Sequence, residues 1–314
     1  MPIAAVLNGY YRSGTTFLWN YARATLRDHT CLQQPLHPRL ASLLQAARTD
    51  NVPDPLHGLR LWEEYLGLQQ CTLERLLRNH PNTTEAGIAS EGALHAYLDV
   101  LHSLPEKLVL QPNTLHFYLD VVAERYGARL VHVVRHPLDV MASIERAYLR
   151  VPGSAVKELL KRIARPYGLP QAFDVEKEYR WIVRHTGRPH GYYDNWKLRY
   201  LVAPFSFLHK LAVVWTLSNY YALRTLERRS GLLLVYEELV SRPEERFPEL
   251  SRFLGGEFKE IPPIKPGTVG RFSESALQRF RRAVAEAGIE KEYAAIVRSL
   301  GAWGPFYAEG IRPQ

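Results

Sequence analysis

Cysteine is scarce in this sequence: Cys31 and Cys71 are the only two among 314 residues. Two cysteines are too few for a disulfide framework, so a reducing cytoplasm is the expected location. No stretch approaches the roughly 20 consecutive apolar residues that a transmembrane helix needs, and no membrane span is predicted. The first apolar run begins at Ile3, so no secretion signal is expected before it.

Clusters of metal ligands are also missing. The 12 histidines are scattered, and none is spaced with cysteines or carboxylates as zinc ligands are. The sequence therefore predicts no metal requirement. Positive charge is in excess, with a net charge of +8, which favours anionic ligands. Because no regular pattern of stacking aromatics accompanies this charge, no specific nucleic-acid partner is predicted.

Apolar runs and helical patterns alternate along the chain. Strands are predicted at 3–8, 107–111, 129–134 and 232–236. Residues up to about 103 after the first helix are expected to be mostly helical and irregular. Further helices are predicted at 14–27, 114–126, 137–150, 206–229, 243–254, 274–287 and 289–300. This alternation indicates an α/β fold, with a parallel sheet flanked by helices and ligands beyond the carboxyl ends of the strands.

The segment from Gly9 to Thr16 joins the first strand to the first helix. It reads Gly-Tyr-Tyr-Arg-Ser-Gly-Thr-Thr. A glycine-containing turn of this kind presents backbone N–H groups at the positive end of a helix dipole, where an anion binds well. Arg12 adds a planar, permanently charged donor group. The segment therefore predicts a site for a phosphate or sulfate group.

The glycine spacing of this loop is that of a nucleotide-binding P-loop, but its lysine is missing. Gly9 and Gly14 match the G-x-x-x-x-G spacing, whereas Thr15 stands where a Walker A loop has lysine. In addition, the strand at 129–134 is followed by Arg135 and not by an aspartate that would hold Mg²⁺. These differences point away from ATP and GTP.

Two motifs resemble those of sulfotransferases that use 3′-phosphoadenosine 5′-phosphosulfate (PAPS). The run at 12–16, Arg-Ser-Gly-Thr-Thr, resembles the 5′-phosphosulfate loop of that family. The run from Arg135 to Ser143 is similar to its 3′-phosphate motif, with an arginine after a strand and a serine on the next helix. Two later segments, 232–240 and 265–272, resemble the family's Tyr-Glu-Asp-Leu strand and its C-terminal glycine-containing loop.

The resemblance implies a P-loop-like α/β fold and a set of site residues. Arg12 is implied as the catalytic residue that stabilises the sulfuryl group and the leaving phosphate oxygen. The implied PAPS-binding residues are Arg12, Ser13, Gly14, Thr15, Thr16, Phe17, Arg135, Ser143, Tyr236, Gly270 and Arg271.

The general base departs from the family pattern. Relatives often carry a glutamate shortly after the first helix and a lysine after the next strand, but this chain has Gln33, Gln34 and Gln111 there. An amide does not accept a proton near neutral pH. His37, whose side chain has an ordinary pKa near 6.5, and Glu91 are the candidate catalytic bases. Each also has a structural interpretation, His37 as a polar loop residue and Glu91 as a carboxylate at a helix N-terminus.

Three further expectations concern structure. Residues 148–210 are rich in aromatic and basic side chains and are predicted to form a helical lid that binds the acceptor; a peripheral helical subdomain is the alternative. Ser241 and Glu244 have the spacing of a capping box at a helix start. His132, inside an apolar strand, is predicted to be a hydrogen-bonded core residue.

The sequence thus predicts one sulfotransferase domain over 1–314, with 148–210 inserted. The expected reaction transfers a sulfuryl group from PAPS, without a metal, to a hydroxyl or less readily an amine. The expected acceptor is a small molecule or a glycolipid-like molecule. A nonenzymatic PAPS-binding relative and a divergent P-loop kinase are the alternatives, and the oligomeric state is left open.

Overall fold

The computed structural model describes residues 3–49, 58–81, 83–84, 87–88, 90–144, 175–187, 207–258, 260–261, 270 and 272–310. The chain divides into two compact units. The first comprises 1–135 and 221–267, and the second comprises 136–220 and 268–314.

A five-stranded parallel sheet forms the centre of the first unit. The strands of the described chain are β1 (Ile3–Gly9), β2 (His29–Gln33), β3 (Thr83–Thr84), β4 (Gly87–Ile88), β5 (Lys107–Gln111), β6 (Arg129–Val134) and β7 (Leu232–Val235). The sheet order is β2-β5-β1-β6-β7, and every neighbouring pair is parallel. β3 and β4 pair separately as a short antiparallel hairpin. β1 is the central strand, with β5 on one side and β6 on the other.

Helices connect these strands, as parallel pairing requires. In the first unit they are α1 (Thr15–Thr25), α2 (Leu40–Thr49), α3 (Glu63–Leu66), α4 (Gln70–Arg78), α5 (Glu91–His102) and α6 (Leu119–Tyr126). The second unit has α7 (Pro137–Ile144) and α8 (Val175–Thr186), and α9 (Phe207–Arg229) continues from it into the first unit. The first unit then adds α10 (Tyr236–Ser241) and α11 (Pro243–Leu254). The second unit ends with α12 (Glu274–Glu286), α13 (Glu290–Ser299), a 3₁₀ turn (Gly301–Trp303) and α14 (Gly304–Glu309).

The core of the first unit lies between one face of the sheet and the helices α1 and α11. Leu7 and Val131 from the sheet pack with Trp19 of α1 and Phe247 of α11, and all four are fully buried. The Trp19 indole N–H donates to the carbonyl oxygen of Cys31 at 2.7 Å. Burial of side chains this large stabilises the fold by about 1.5–3 kcal/mol each, and the indole bond avoids an unpaired polar group.

Aromatic side chains form the core of the second unit. Trp215 of α9 lies 6.1–6.3 Å, between ring centroids, from Phe280, Tyr293 and Tyr307. The Tyr293 hydroxyl donates to the carbonyl oxygen of Tyr307 at 2.6 Å. This unit therefore joins α9 to the three C-terminal helices.

The α/β prediction with a parallel sheet is confirmed. β2 was not predicted, however, and α6 begins at Leu119 rather than at 114. The capping-box prediction is wrong: Ser241 ends α10, and α11 begins at Pro243 with Arg242 as its N-cap and no side-chain cap. Most of the predicted lid at 148–210 lies outside the described residues. The helix α8 is a described part of it.

His132 is buried and hydrogen-bonded, as predicted. The Nδ2 atom of Asn8 lies 3.0 Å from Nδ1 of His132 and also 3.0 Å from Nδ1 of His116. Asn8 and His132 are register partners on β1 and β6, which brings their side chains to one face of the sheet. The buried Asn8 amide thereby joins the imidazoles of His116 and His132 within the first unit.

Buried histidines make the stability of the protein sensitive to acid. Burial is the main reason that the pKa of His116 is lowered to about 3, and the charge of His132 is the second. Desolvation, followed by the charges of Arg39 and His80, lowers the pKa of His37 to about 4. The unfolded chain, with histidine pKa values near 6.5, binds these protons first, so the stabilisation is complete above about pH 6.5 and is lost as pH falls toward 4.

We therefore expect the urea midpoint of unfolding to decrease steadily between about pH 7 and pH 5. The Asp28 carboxylate stays ionised throughout this window, because the Lys107 and His29 side chains lower its pKa to about 2. A midpoint that did not change over the window would contradict the prediction.

Candidate functional site

The carboxyl ends of all five parallel strands meet at one edge of the first unit. In such sheets, ligands bind beyond the carboxyl ends of the strands, at the point where the order of the strands reverses. In the order of the strands across the sheet, the residues at or just beyond these ends are Gln33, Gln111, Gly9, Arg135 and Tyr236. Chain segments far apart in sequence therefore contribute neighbouring polar groups.

The loop after β1 is a tight turn. The Ser13 amide donates to the Tyr10 carbonyl oxygen at 3.1 Å. Arg12 has a φ of 64° and Gly14 a φ of 94°, so the chain visits the left-handed region twice within three residues. A non-glycine residue such as Arg12 adopts this conformation at a cost of about 1–3 kcal/mol, and such strain is typical of binding loops.

The start of α1 leaves backbone donors at the loop. The amides of Phe17 and Leu18 donate to the Gly14 carbonyl oxygen at 3.0 and 3.1 Å. Gly14 is the N-cap residue and provides no side-chain cap. The N–H groups of Thr15 and Thr16, in the first turn, have no intrahelical acceptor. They lie at the positive end of the helix dipole, where a phosphate or sulfate is stabilised.

Both glycines of the loop are required by close contacts. A Cβ atom on Gly9 would lie 2.6 Å from Cγ1 of Val133 and 2.7 Å from Cγ2 of Thr15. A Cβ atom on Gly14 would lie 2.5 Å from Cδ2 of Tyr236. Any larger residue would push the loop away from β6 and from the start of α10. The glycine spacing read in the sequence thus reflects two separate packing constraints.

Arg135 joins the two sequence motifs. It follows β6 directly, is 5% exposed, and donates from Nη1 to the carbonyl oxygen of Arg12 at 3.0 Å. Its guanidinium carbon lies 4.3 Å from the centroid of the Tyr236 ring, within the range of a cation–π interaction. The same ring packs on Gly14. Arg135 and Tyr236 therefore hold the loop from the β6 and β7 side.

Side chains of the loop add hydroxyl groups to this arrangement. Ser13 is fully buried, and its Oγ has no hydrogen-bond partner among the residues that the structure describes. Thr15 is buried and Thr16 is half-buried. The ring of Phe17 packs edge-on against Phe247 at 5.4 Å, which fixes the first turn of α1 to α11. An anion-binding role for Phe17 stays a prediction.

The second unit contains two of the predicted PAPS-binding residues. Ser143 is buried on α7, one turn beyond Asp139 on the same face of the helix. The Gly270 amide donates to Oδ2 of Asp139 at 2.8 Å, which ties Gly270 to that helix. Arg271 lies outside the described residues.

The surroundings of His37 do not favour proton abstraction at neutral pH. Its Nδ1 accepts a hydrogen bond from the Arg39 amide at 3.1 Å, so the neutral ring carries its proton on Nε2 and offers no free basic nitrogen. Burial also lowers the pKa of its imidazole to about 4, which makes the ring a weaker base than an exposed histidine. The ring packs edge-on against Trp62 at 5.9 Å.

The base role of His37 stays a prediction that one variant tests. If His37 abstracts the acceptor proton, His37→Ala should lower turnover by about 10²–10⁴-fold with unchanged nucleotide affinity. The structural interpretation predicts a variant with reduced thermal stability and turnover like that of the wild type. Steady-state kinetics at saturating PAPS distinguish the two, and unchanged turnover would remove the role.

Glu91 has the geometry of a helix-terminal carboxylate. It is exposed in the first turn of α5, where Ser90 is the N-cap and accepts from the Ala93 amide at 3.1 Å. Its Oε1 lies 3.7 Å from Nε2 of His95. These contacts match the structural interpretation, in which the carboxylate stabilises the helix; a catalytic role stays a prediction.

Neither a metal centre nor a membrane-spanning helix is found among the described residues. No cluster of three or more histidine, cysteine or carboxylate side chains there is arranged to hold a metal ion. No helix in the same part of the chain is both long and apolar enough to cross a membrane.

Similar proteins add to this picture. No protein-family model matches the chain. An uncharacterized protein of Archaeoglobus fulgidus is 27% identical over 271 residues, covering 82% of this chain and 85% of that protein. Two of the solved structures to which the chain is similar are a sulfotransferase from Alicyclobacillus acidocaldarius and the sulfotransferase domain of an olefin synthase from Synechococcus PCC 7002. The chain is similar to sulfotransferases.

The Alicyclobacillus enzyme has 15% identity and a TM-score of 0.40, with 92% of this chain and 96% of that chain covered. The Synechococcus domain has 17% identity and a TM-score of 0.42, with 96% of this chain and 94% of that chain covered.

Proposed function

We propose that this protein is a PAPS-dependent sulfotransferase. Its acceptor is a hydroxyl, or less readily an amine, of a small molecule or a glycolipid-like molecule. The observation that carries the proposal is the bond from Arg135 Nη1 to the Arg12 carbonyl oxygen at 3.0 Å. This bond brings together two motifs that lie 123 residues apart and that a nucleotide with a phosphate at each end of its ribose requires side by side.

The residues of the loop suit a phosphosulfate group. Ser13 Oγ is a buried hydroxyl without a partner in the described part of the chain, and the first-turn amides of α1 have no intrahelical acceptor. Gly9 and Gly14 let the loop backbone pack closely against Val133 of β6 and against Tyr236, which fixes the position of the loop amides. PAPS, when bound there, supplies an activated sulfuryl group.

Arg12 and the loop amides would stabilise the charge that develops during transfer. Sulfuryl transfer resembles phosphoryl transfer, in which negative charge spreads over the equatorial and leaving oxygens of a loose transition state. Fixed donors aimed at these oxygens cost no reorganisation as the charge forms. The guanidinium of Arg12 provides a permanent charge for this purpose. In the second unit, Ser143 and Gly270 remain the proposed contacts for the 3′-phosphate, together with Arg271.

The strand order places different residues on the two sides of the loop. Arg135 and Tyr236 follow β6 and β7, whereas Gln33 and Gln111 end β2 and β5 on the opposite side of β1. We assign the nucleotide to the positively charged β6 side. The acceptor then approaches from the β5 side.

A transfer screen tests the proposal. Labelled PAPS is incubated with the protein and a panel of phenols, sugars, alcohols and amines, without added metal. Labelled product from at least one acceptor is the expected result. Tight binding of 3′-phosphoadenosine 5′-phosphate (PAP) without transfer to any of them would favour the nonenzymatic alternative.

A thermal-shift comparison distinguishes the proposed sulfotransferase from the kinase alternative. PAP should raise the melting temperature more than ATP with Mg²⁺ does, because Thr15 stands where a kinase P-loop has lysine. A larger shift with ATP and Mg²⁺ would favour the kinase.

Both cysteines are free thiols, and a cytoplasmic location remains part of the proposal.

A further inference from the structure

Two buried glutamines end neighbouring strands of the sheet. Gln33 is the last residue of β2 and Gln111 the last residue of β5, and the two are register partners. Neighbouring strands lie about 4.8 Å apart, and paired residues project from the same face. The two side-chain amides therefore stand side by side at the carboxyl edge.

Each of these amides has an unused hydrogen-bond acceptor. Gln33 is 1% exposed and Gln111 is fully buried. Neither Oε1 atom has a hydrogen-bond partner within the described residues. The Nε2 atom of Gln111 donates to Oδ1 of Asn113 at 2.5 Å, so the amide is held by its nitrogen. A buried carbonyl oxygen left without a donor is costly, and two of them side by side indicate a site for a ligand that donates.

The backbone around both amides is firmly held. The Gln34 amide donates to the Gln111 carbonyl oxygen at 2.7 Å. The Tyr65 hydroxyl donates to the Gln33 carbonyl oxygen at 3.0 Å, and Tyr97 donates to the Pro35 carbonyl oxygen at 2.7 Å. Both tyrosines are fully buried. The two buried amide oxygens thus belong to a rigid, preorganised part of the first unit, which favours specific binding.

We propose that Gln33 and Gln111 form an acceptor-binding pair that recognises two adjacent O–H or N–H donors, such as the two hydroxyls of a vicinal diol. The pair carries no charge, so it selects by hydrogen bonding. This inference rests on the proposed function, because the pair lies at the ends of β2 and β5, on the side of the loop assigned to the acceptor. The oxygen of one hydroxyl bonds to the sulfur of PAPS as the bond from sulfur to the 5′-phosphate oxygen breaks; PAP leaves, and the hydroxyl proton passes to solvent. The other hydroxyl positions the molecule.

A first experiment needs no acceptor and uses the melting temperature of the unliganded protein. Gln33→Met keeps the length of the side chain and removes the unpaired oxygen. We expect an unchanged or higher melting temperature, because no existing bond to that oxygen is lost. Gln45→Met, at an exposed position of α2, is the matched control. A melting temperature lowered by several degrees relative to this control would mean that the oxygen already has a partner in the protein, and would overturn the proposal.

A second experiment measures acceptor choice with labelled PAPS. The probes are matched pairs: catechol with 2-methoxyphenol, and 1,2-cyclohexanediol with cyclohexanol. Wild-type protein should use the diol of at least one pair about tenfold more efficiently, and Gln33→Met should lose that preference. No preference for a diol in either pair, or a preference that Gln33→Met retains, would overturn the proposal.

PAP affinity separates this inference from the proposed function. Gln33→Met should bind PAP within about twofold of wild type, since the amide lies on the acceptor side. Failure of the wild type to bind PAP would overturn the proposed function. Normal PAP binding, combined with a lowered melting temperature or an absent diol preference, would overturn the amide pair alone.

Discussion

Arg12→Ala should lower the rate of sulfuryl transfer at saturating PAPS by about 10²–10³-fold, as expected when a preorganised transition-state donor is removed. The affinity for PAP should fall much less, because the loop amides and Arg135 still bind the ground state. The rate should fall more than the affinity because Arg12 is assigned to stabilise negative charge that develops only during transfer. The rate is measured as labelled product formed from the acceptor that the screen identifies.

Two comparisons sharpen this prediction. Arg12→Lys keeps the charge but loses the planar donor group, so an intermediate rate is expected. Arg23→Ala removes an arginine that lies 4.9 Å from the Trp19 ring centroid, away from the loop, and should transfer at the wild-type rate. A rate for Arg12→Ala within about threefold of wild type would exclude the assigned role.

Gly14→Ala should weaken PAP binding by about 100-fold, the largest effect on affinity that we expect from a single methyl group. The added Cβ atom would lie 2.5 Å from Cδ2 of Tyr236, at a φ of 94°. Tyr236 has little freedom to move, because its ring also carries the guanidinium of Arg135. Either the loop or this stack must shift, and both are parts of the proposed anion site.

Gly288→Ala is the matched control for the backbone conformation. Gly288 has a φ of 64°, and an added Cβ atom there meets nothing within 4 Å. Both variants therefore suffer the strain of a left-handed alanine, about 1–2 kcal/mol, but only Gly14→Ala disturbs Tyr236. Equal PAP affinity in the two variants would show that the contact with Tyr236 is not needed for binding. Isothermal titration and a thermal melt on each variant give the required pair of numbers.

Four of the five strands of the main sheet were predictable because their residues form continuous apolar runs. β1, β5 and β6 are almost entirely buried, as parallel strands covered by helices are, and the edge strand β7 is buried in its second half. β2 was not predictable in this way. Its sequence, His-Thr-Cys-Leu-Gln, has only two apolar residues, and it forms a strand because it pairs in register with β5 at the edge of the sheet.

The position of the loop and of Arg135 also followed from the sequence, since both sit where a strand passes into a helix. The contacts between them did not. The bond from Arg135 to Arg12 and the stack on Tyr236 depend on β6 lying between β1 and β7, and strand order is a long-range property. The same holds for the amide pair: Gln33 and Gln111 are neighbours only because β2 lies beside β5.

Helix boundaries failed where tertiary contacts replaced local signals. The spacing of Ser241 and Glu244 indicates a capping box, yet Ser241 is the last residue of α10 and Pro243 starts α11. The fixed φ of proline suits the first helical position, so the proline, and not the serine, defines this helix start.

The most direct test of the account is a titration of PAP into the wild type, Arg135→Ala and Arg23→Ala. The wild type and Arg23→Ala should bind PAP with similar affinity, whereas Arg135→Ala should bind about 10²-fold more weakly, because it loses both a charge-assisted contact and the group that holds the loop. Wild-type protein that does not bind PAP, or an Arg135→Ala variant that binds it as tightly as Arg23→Ala does, would contradict the account.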